Sequence, residues 1–206
     1  MDAPKTLASD TERAARTAML SLPHVHGLTR FVQRMRDAKG PEYGIPDFDP
    51  LDGGVNAQVL YLLEAPGRRA VTSGFISRNN PDETAKNFFL LNAEAEIDRQ
   101  LTVIWNAVPW YIGTETKIRA ANRDDVREAD DWLAELLTSL PRLRVVAFVG
   151  QKALHAQGVV RRVRPDVAVM HSPHPSPLFI NRLPSNRDRI MVVLRELSGR
   201  LRISVV

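Results

Sequence analysis

Three observations in the sequence predict an α/β protein, a three-layer α/β/α sandwich around a central four-stranded parallel sheet. Four short apolar runs are nearly continuous, segments of helical periodicity separate them, and a polar stretch rich in proline or glycine follows each run. A continuous β-branched run marks a strand buried on both faces, as parallel sheets require. Strands that alternate with helices join most simply through right-handed crossovers.

Residues 11–20 and 28–38 read as two amphipathic helices packed against the sheet. Residues 40–54, rich in proline and glycine, read as a loop into the first strand. The predicted strands are VLYLL (Val59–Leu63), LTVIW (101–105), VVAFV (Val145–Val149) and VAVM (167–170). Helical periodicity over 81–97 places Phe88, Phe89 and Leu91 among charges. Over 123–140 it aligns Val126, Trp132, Leu133, Leu136, Leu137 and Leu140, with Asn122 as N-cap and Asp124 and Asp125 in the first turn. A short helix follows Gly150, and a last one spans 187–197. The 206 residues suit one domain, with a helical part at 1–45 and a core at 55–200.

Composition narrows the chemistry. With 44% hydrophobic and 25% charged residues, the chain can bury a core without staples. It has no cysteine, which excludes disulfides, thiolate zinc sites, cysteine-ligated iron–sulfur clusters and a cysteine nucleophile. The net charge of +4 suits a polyanionic partner. Residues 1–10 lack the apolar stretch of a secretory signal, and no apolar run reaches membrane-spanning length, so a soluble, cytoplasmic protein is expected. His24 and His26 have no third ligand in view, and no metal site is expected.

Ligands of open parallel sheets bind outside the carboxyl ends of the strands. The residues just past the runs are Glu64-Ala65-Pro66-Gly67, Asn106-Ala107-Val108-Pro109-Trp110, Gly150-Gln151-Lys152-Ala153 and His171 to Pro177. Proline and glycine make such loops rigid and let backbone approach a ligand closely. No G-x-S-x-G elbow and no G-x-x-x-x-G-K-[ST] loop occurs.

LEAPG (63–67), SGF (73–75), IWNAVPW (104–110) and HPSP (174–177) occur in that order. Through them the chain resembles the uracil-DNA glycosylase superfamily over roughly residues 59–189. LEAPG is similar to the first motif of the iron–sulfur branch, and SRNNPDETAKNF (77–88) is similar to a cysteine-free bacterial subgroup. The resemblance implies a monofunctional, cofactor-free, monomeric enzyme of the bacterial cytoplasm. It would flip uracil out of DNA, cut the N-glycosidic bond and leave an abasic site. It also implies that Phe75 stacks on the base, Asn106 reads its edge and His174 faces uracil O2. Backbone at Ala65, Pro66 and Gly67 would complete the pocket, and Ser176 would bind a DNA phosphate.

Departures from the family pattern matter as much. Ala65 stands where other branches carry a water-activating aspartate or asparagine, Gly67 where the most selective branch has a tyrosine against thymine, and Leu63 where the motif begins with glycine. No iron–sulfur cluster follows from the resemblance. Glu64, Asn80 and Asp82 are then the candidates to hold water. After HPSP, Leu178, Phe179 and Leu183 among Arg182, Arg187 and Arg189 suit a wedge beside phosphates, and Lys117 and Arg119 extend the basic track. Ala65 also admits an alternative: a non-catalytic or altered-specificity member that binds DNA or a damaged base, for example a deaminated purine.

Overall fold

The structure, a computed structural model, describes residues 2–114 and 119–202. Its first helices are α1 (Asp10–Ala18) and α2 (Pro23–Lys39). Ser9 caps α1 by accepting from the Glu12 amide. Pro23 opens α2, where its missing N–H leaves no bond unmade. α2 buries Val25, Leu28, Phe31, Val32 and Met35, three or four residues apart, in the same core as the sheet. α1 buries only Arg16.

Chain order then gives β1 (Asp47–Phe48), β2 (Val59–Leu63), α3 (Arg68–Ser73), β3 (Phe75–Ile76), α4 (Glu83–Glu94) and β4 (Thr102–Asn106). After these come α5 (Arg123–Thr138), β5 (Val145–Val149), α6 (Gln157–Val163), β6 (Ala168–Ser172), α7 (Pro177–Ile180) and α8 (Ser185–Arg202). The four long strands form one sheet in the order β4-β2-β5-β6, parallel throughout. α4 and α8 pack together on one face, with α8 against β6, while α2, α5 and α6 make the layer that covers the other face. The predicted sandwich is therefore the observed one.

The chain leaves β2 for β4 on one side and then crosses to β5 on the other. That reversal makes the β2/β5 boundary the topological switch point, where open sheets place ligands.

The boundaries differ from the sequence expectation in useful ways. β4 starts one residue later and ends on Asn106, which pairs in register with Leu63. β6 runs on to His171 and Ser172, opposite Phe148 and Val149. The stretch read as loop contains β1, which pairs in parallel with β3. Two-residue strands carry no periodic signal, so neither was legible. The N-cap expected at α5 is present and is part of a capping box: Asn122 accepts from the Asp124 and Asp125 amides, and Asp125 accepts in return from the Asn122 amide.

Candidate active site

A cavity of about 390 Å³ opens at the carboxyl edge of the sheet. Ala65, Pro66 and Gly67 line it from the loop after β2, Asn106 from the end of β4, and His174 and Pro175 from the loop after β6. Ile76, Ser77, Arg78, Asn80 and Asp82 close it from the segment that leads into α4, and Phe88 from α4 itself. Four of the motifs singled out in sequence thus converge on one space.

The loops are laced beyond the strand ends, which fixes their aim. Ala107 N donates to Leu63 O at 2.8 Å and Val108 N to Glu64 O at 2.9 Å. On the other flank Gly150 N donates to Ser172 O at 2.9 Å. Gly150 has φ +90°, and a Cβ there would lie 3.2 Å from His174 Cβ. Glycine suits that backbone conformation, and a side chain there would also press on His174 just past the end of β5.

Asn106 is 3% exposed, and its Nδ2 is buried without a hydrogen-bond partner. A buried donor left unpaired costs about 1–3 kcal/mol, so an orphan at a cavity wall points to a ligand acceptor. Gly67, at φ −78°, is exposed, and a Cβ there would meet nothing within 4 Å. The position allows a side chain that this chain does not supply.

His174 is half-buried at the same cavity. Burial lowers its pKa below the ordinary histidine value, against an opposing pull from Glu64 and Asp82, so the neutral imidazole is favoured. Its turn is anchored from α4, where Asn87 Nδ2 donates to the Pro175 carbonyl at 3.0 Å. Asn87 was not singled out in sequence. An asparagine inside a helical repeat gives no sign of which loop it will reach.

The three candidates for holding water separate clearly. Glu64 accepts from the Ala121 amide at 2.5 Å and is not among the residues that line the cavity, so it braces the loop before α5. Asn80 lines the cavity, but its Oδ1 accepts from Ser73 Oγ at 2.6 Å and its Nδ2 donates to Phe75 O at 2.9 Å. Asp82 also lines the cavity and acts on His174 electrostatically. Its Oδ1 caps α4 through the Ala85 amide at 2.9 Å, and its Oδ2 has no protein donor among the described residues.

Phe75, expected to stack on a base, is 2% exposed and does not line the cavity. Successive side chains of a strand point to opposite faces. Ile76 reaches the cavity, and Phe75 is turned away. The ring at the wall is Phe88, which meets Tyr61 edge-on at 4.8 Å between centroids.

A buried ionic cluster holds the segment that closes the cavity. Asp49, 1% exposed, accepts from Arg16 Nη1 at 2.7 Å, from Arg99 Nη2 at 3.0 Å and from the Ser77 hydroxyl. Arg99 also pairs with Asp52 at 2.9 Å, and Arg78 donates to Thr102 Oγ1 at 2.7 Å. Asn79 donates to the Ala3 carbonyl at 2.6 Å and to Asp2. The N-terminal part is thereby fastened to the Ser77–Arg78–Asn79 turn.

The residues expected to contact nucleic acid differ in how they are held. Ser176 caps α7 by accepting from Phe179 N at 3.3 Å. Leu178 is 85% exposed beside it, and Leu183 and Arg182 are also exposed. Arg187 is paired with Glu94 of α4, and Arg119 grips Asp125 through two bonds of 2.6 and 2.7 Å. Arg189 lies over the Phe179 ring at 5.6 Å. Lys117 lies outside the described residues. Among the described residues no group of three or more histidine or acidic side chains is arranged to hold a metal, and no helix is long and apolar enough to cross a membrane.

A family model described as the uracil DNA glycosylase superfamily matches residues 50–198. No curated protein matches the chain. Among solved structures, a Methanosarcina acetivorans protein, provisionally described as a uracil DNA glycosylase, is 17% identical with a TM-score of 0.49. That match covers 71% of this chain and 93% of the other. A mimivirus UNG variant in complex with UGI is 15% identical with a TM-score of 0.37, over 81% of this chain and 69% of that one.

Proposed function

The chain belongs to the uracil DNA glycosylase superfamily, and from that premise we propose that it hydrolyses the N-glycosidic bond of uracil in DNA. Asn106 is the observation that carries this reading, a buried amide at the cavity with an unpartnered Nδ2. Uracil presents an acceptor at O4 beside a donor at N3. An amide that donates to the first and accepts from the second reads that edge, and cytosine, with the pattern reversed, leaves both groups unpaired.

A base inside a duplex cannot reach such a cavity, so the nucleotide flips out, at a cost of a few kcal/mol of pairing and stacking. Phe88 is the aromatic surface at the wall, and we assign stacking to it. As the C1′–N1 bond breaks, its electron pair leaves with uracil, and negative charge gathers at O2. A neutral His174 donates a hydrogen bond there, and one such donor is worth about 2.7–4 kcal/mol. Asp82 faces the positive sugar through its second oxygen and holds the water that adds to C1′. The proton lost by that water passes to the carboxylate, and the uracil anion takes up its own proton after release.

The test is incubation with labelled oligonucleotides bearing U:A, U:G, T:G, hypoxanthine or single-stranded uracil, followed by alkali. Strand cleavage at uracil supports the reading. Cleavage at none of them overturns it and favours a protein that binds DNA without cutting.

A further inference from the structure

Three arginines line the cavity, and they differ in what holds them. Arg78 is buried and engaged by Thr102 and Asp52. Arg68, at the start of α3, donates to the Thr114 carbonyl at 3.1 Å. Arg69, the next residue, is exposed and has no hydrogen-bond or ion-pair partner among the described residues. Asp82 is the one carboxylate among the residues that line the cavity. The rim on α3 therefore carries more positive charge than the cavity neutralises.

Two of the cations that the sequence singles out elsewhere are committed to carboxylates, whereas Arg182 is exposed and lies outside the cavity lining. Arg187 is held by Glu94 and Arg119 by Asp125. A nucleotide whose base enters the cavity brings a phosphodiester on each side of its sugar to the rim. A guanidinium presents a planar fork that fits two phosphate oxygens, and an exposed one loses no internal partner when it turns to them.

We propose that Arg69 is a phosphate-binding residue for the DNA strand, gripping a phosphodiester that flanks the flipped nucleotide. Ser176, which follows the cavity-lining Pro175, offers a hydroxyl to the same backbone. The proposal rests on the glycosylase reading for the identity of the polymer as DNA.

Anisotropy of a uracil-bearing oligonucleotide between 50 and 200 mM salt (roughly the range over which phosphate contacts are resolved) tests it, with Arg69→Ala, Arg69→Lys and the exposed Arg142→Ala as a control. Arg69→Ala should weaken binding about tenfold at low salt. Its log–log salt slope should become shallower by about 0.7–0.9, the share of one phosphate. Arg69→Lys should recover part of the affinity, and Arg142→Ala should bind as the wild type does. Neutral methylphosphonates placed one at a time around uracil identify the partner. One position should weaken the wild type and leave Arg69→Ala indifferent. An unchanged slope in Arg69→Ala, or losses that add at every methylphosphonate, overturns the proposal. If the wild type excises uracil and Arg69→Ala binds normally, only the proposal falls. If no uracil is released while the slope changes as stated, the glycosylase reading falls and the phosphate contact stands.

Discussion

Asn87 Nδ2 donates to the carbonyl of Pro175 at 3.0 Å, so α4 holds the turn on which His174 stands. Two walls of the cavity are fixed to each other by that bond. Removing it frees the imidazole to drift, and small displacements of a reacting group cost up to about a hundredfold in rate. Asn87→Ala should lower kcat by roughly tenfold or more with KM little changed. Steady-state kinetics on a uracil-containing oligonucleotide checks this, and Asn87→Gln, which keeps the donor, should recover part of the loss.

Asp82 lines the cavity with one oxygen on the Ala85 amide, whereas Glu64 does not line it and both ends of the Asn80 amide are held by Ser73 and Phe75. Asp82→Asn should reduce single-turnover excision by about a hundredfold or more. Glu64→Gln keeps an acceptor for the Ala121 amide and should cost far less. Equal losses in the two variants would contradict the assignment of water to Asp82.

Phe88 and Phe75 make opposite predictions. Phe88→Leu should weaken binding of uracil-bearing DNA by about 1–3 kcal/mol, the worth of stacking one base. Phe75→Leu should act mainly on thermal stability, because its ring is buried away from the cavity wall. Paired binding and melting curves distinguish the two.

Burial opposes ionisation of Asp49, but Arg99 and Arg16 outweigh it and hold the carboxyl below its ordinary value. A carboxylate depressed in the folded state stabilises the protein fully above its unfolded value, near 3.9, and loses that contribution as pH falls through the folded value. Arg16→Met removes one cation and leaves the other groups buried, at a cost of about 3–5 kcal/mol at neutral pH. Denaturant unfolding of the two proteins should show this gap at pH 7, narrowing below about pH 4.

Much of the site could be read in the sequence because its parts sit where strands end. Asn106, His174 and the Ala65-Pro66-Gly67 turn follow continuous apolar runs, and a parallel sheet brings such positions to one edge. Phe75 was misjudged because its facing depends on the pairing of β3 with β1, two strands of two residues each. The ionic cluster was invisible for another reason. Arg16, Asp49 and Arg99 are far apart in sequence, and each reads alone as a solvated charge, although Asp49 is 1% exposed and Arg16 is 4% exposed. Glu64, Asn80 and Asp82 read alike in sequence, because which of them lines the cavity and which is held by a neighbouring turn depends on contacts distant in the chain.

Release of free uracil under single-turnover conditions, measured for the wild type beside Asn106→Ala and His174→Ala, tests the central claim most directly. The wild type should release uracil and no cytosine, and each folded variant should be slower by at least about a hundredfold. No release by the wild type, or near-normal rates in both variants, would contradict it.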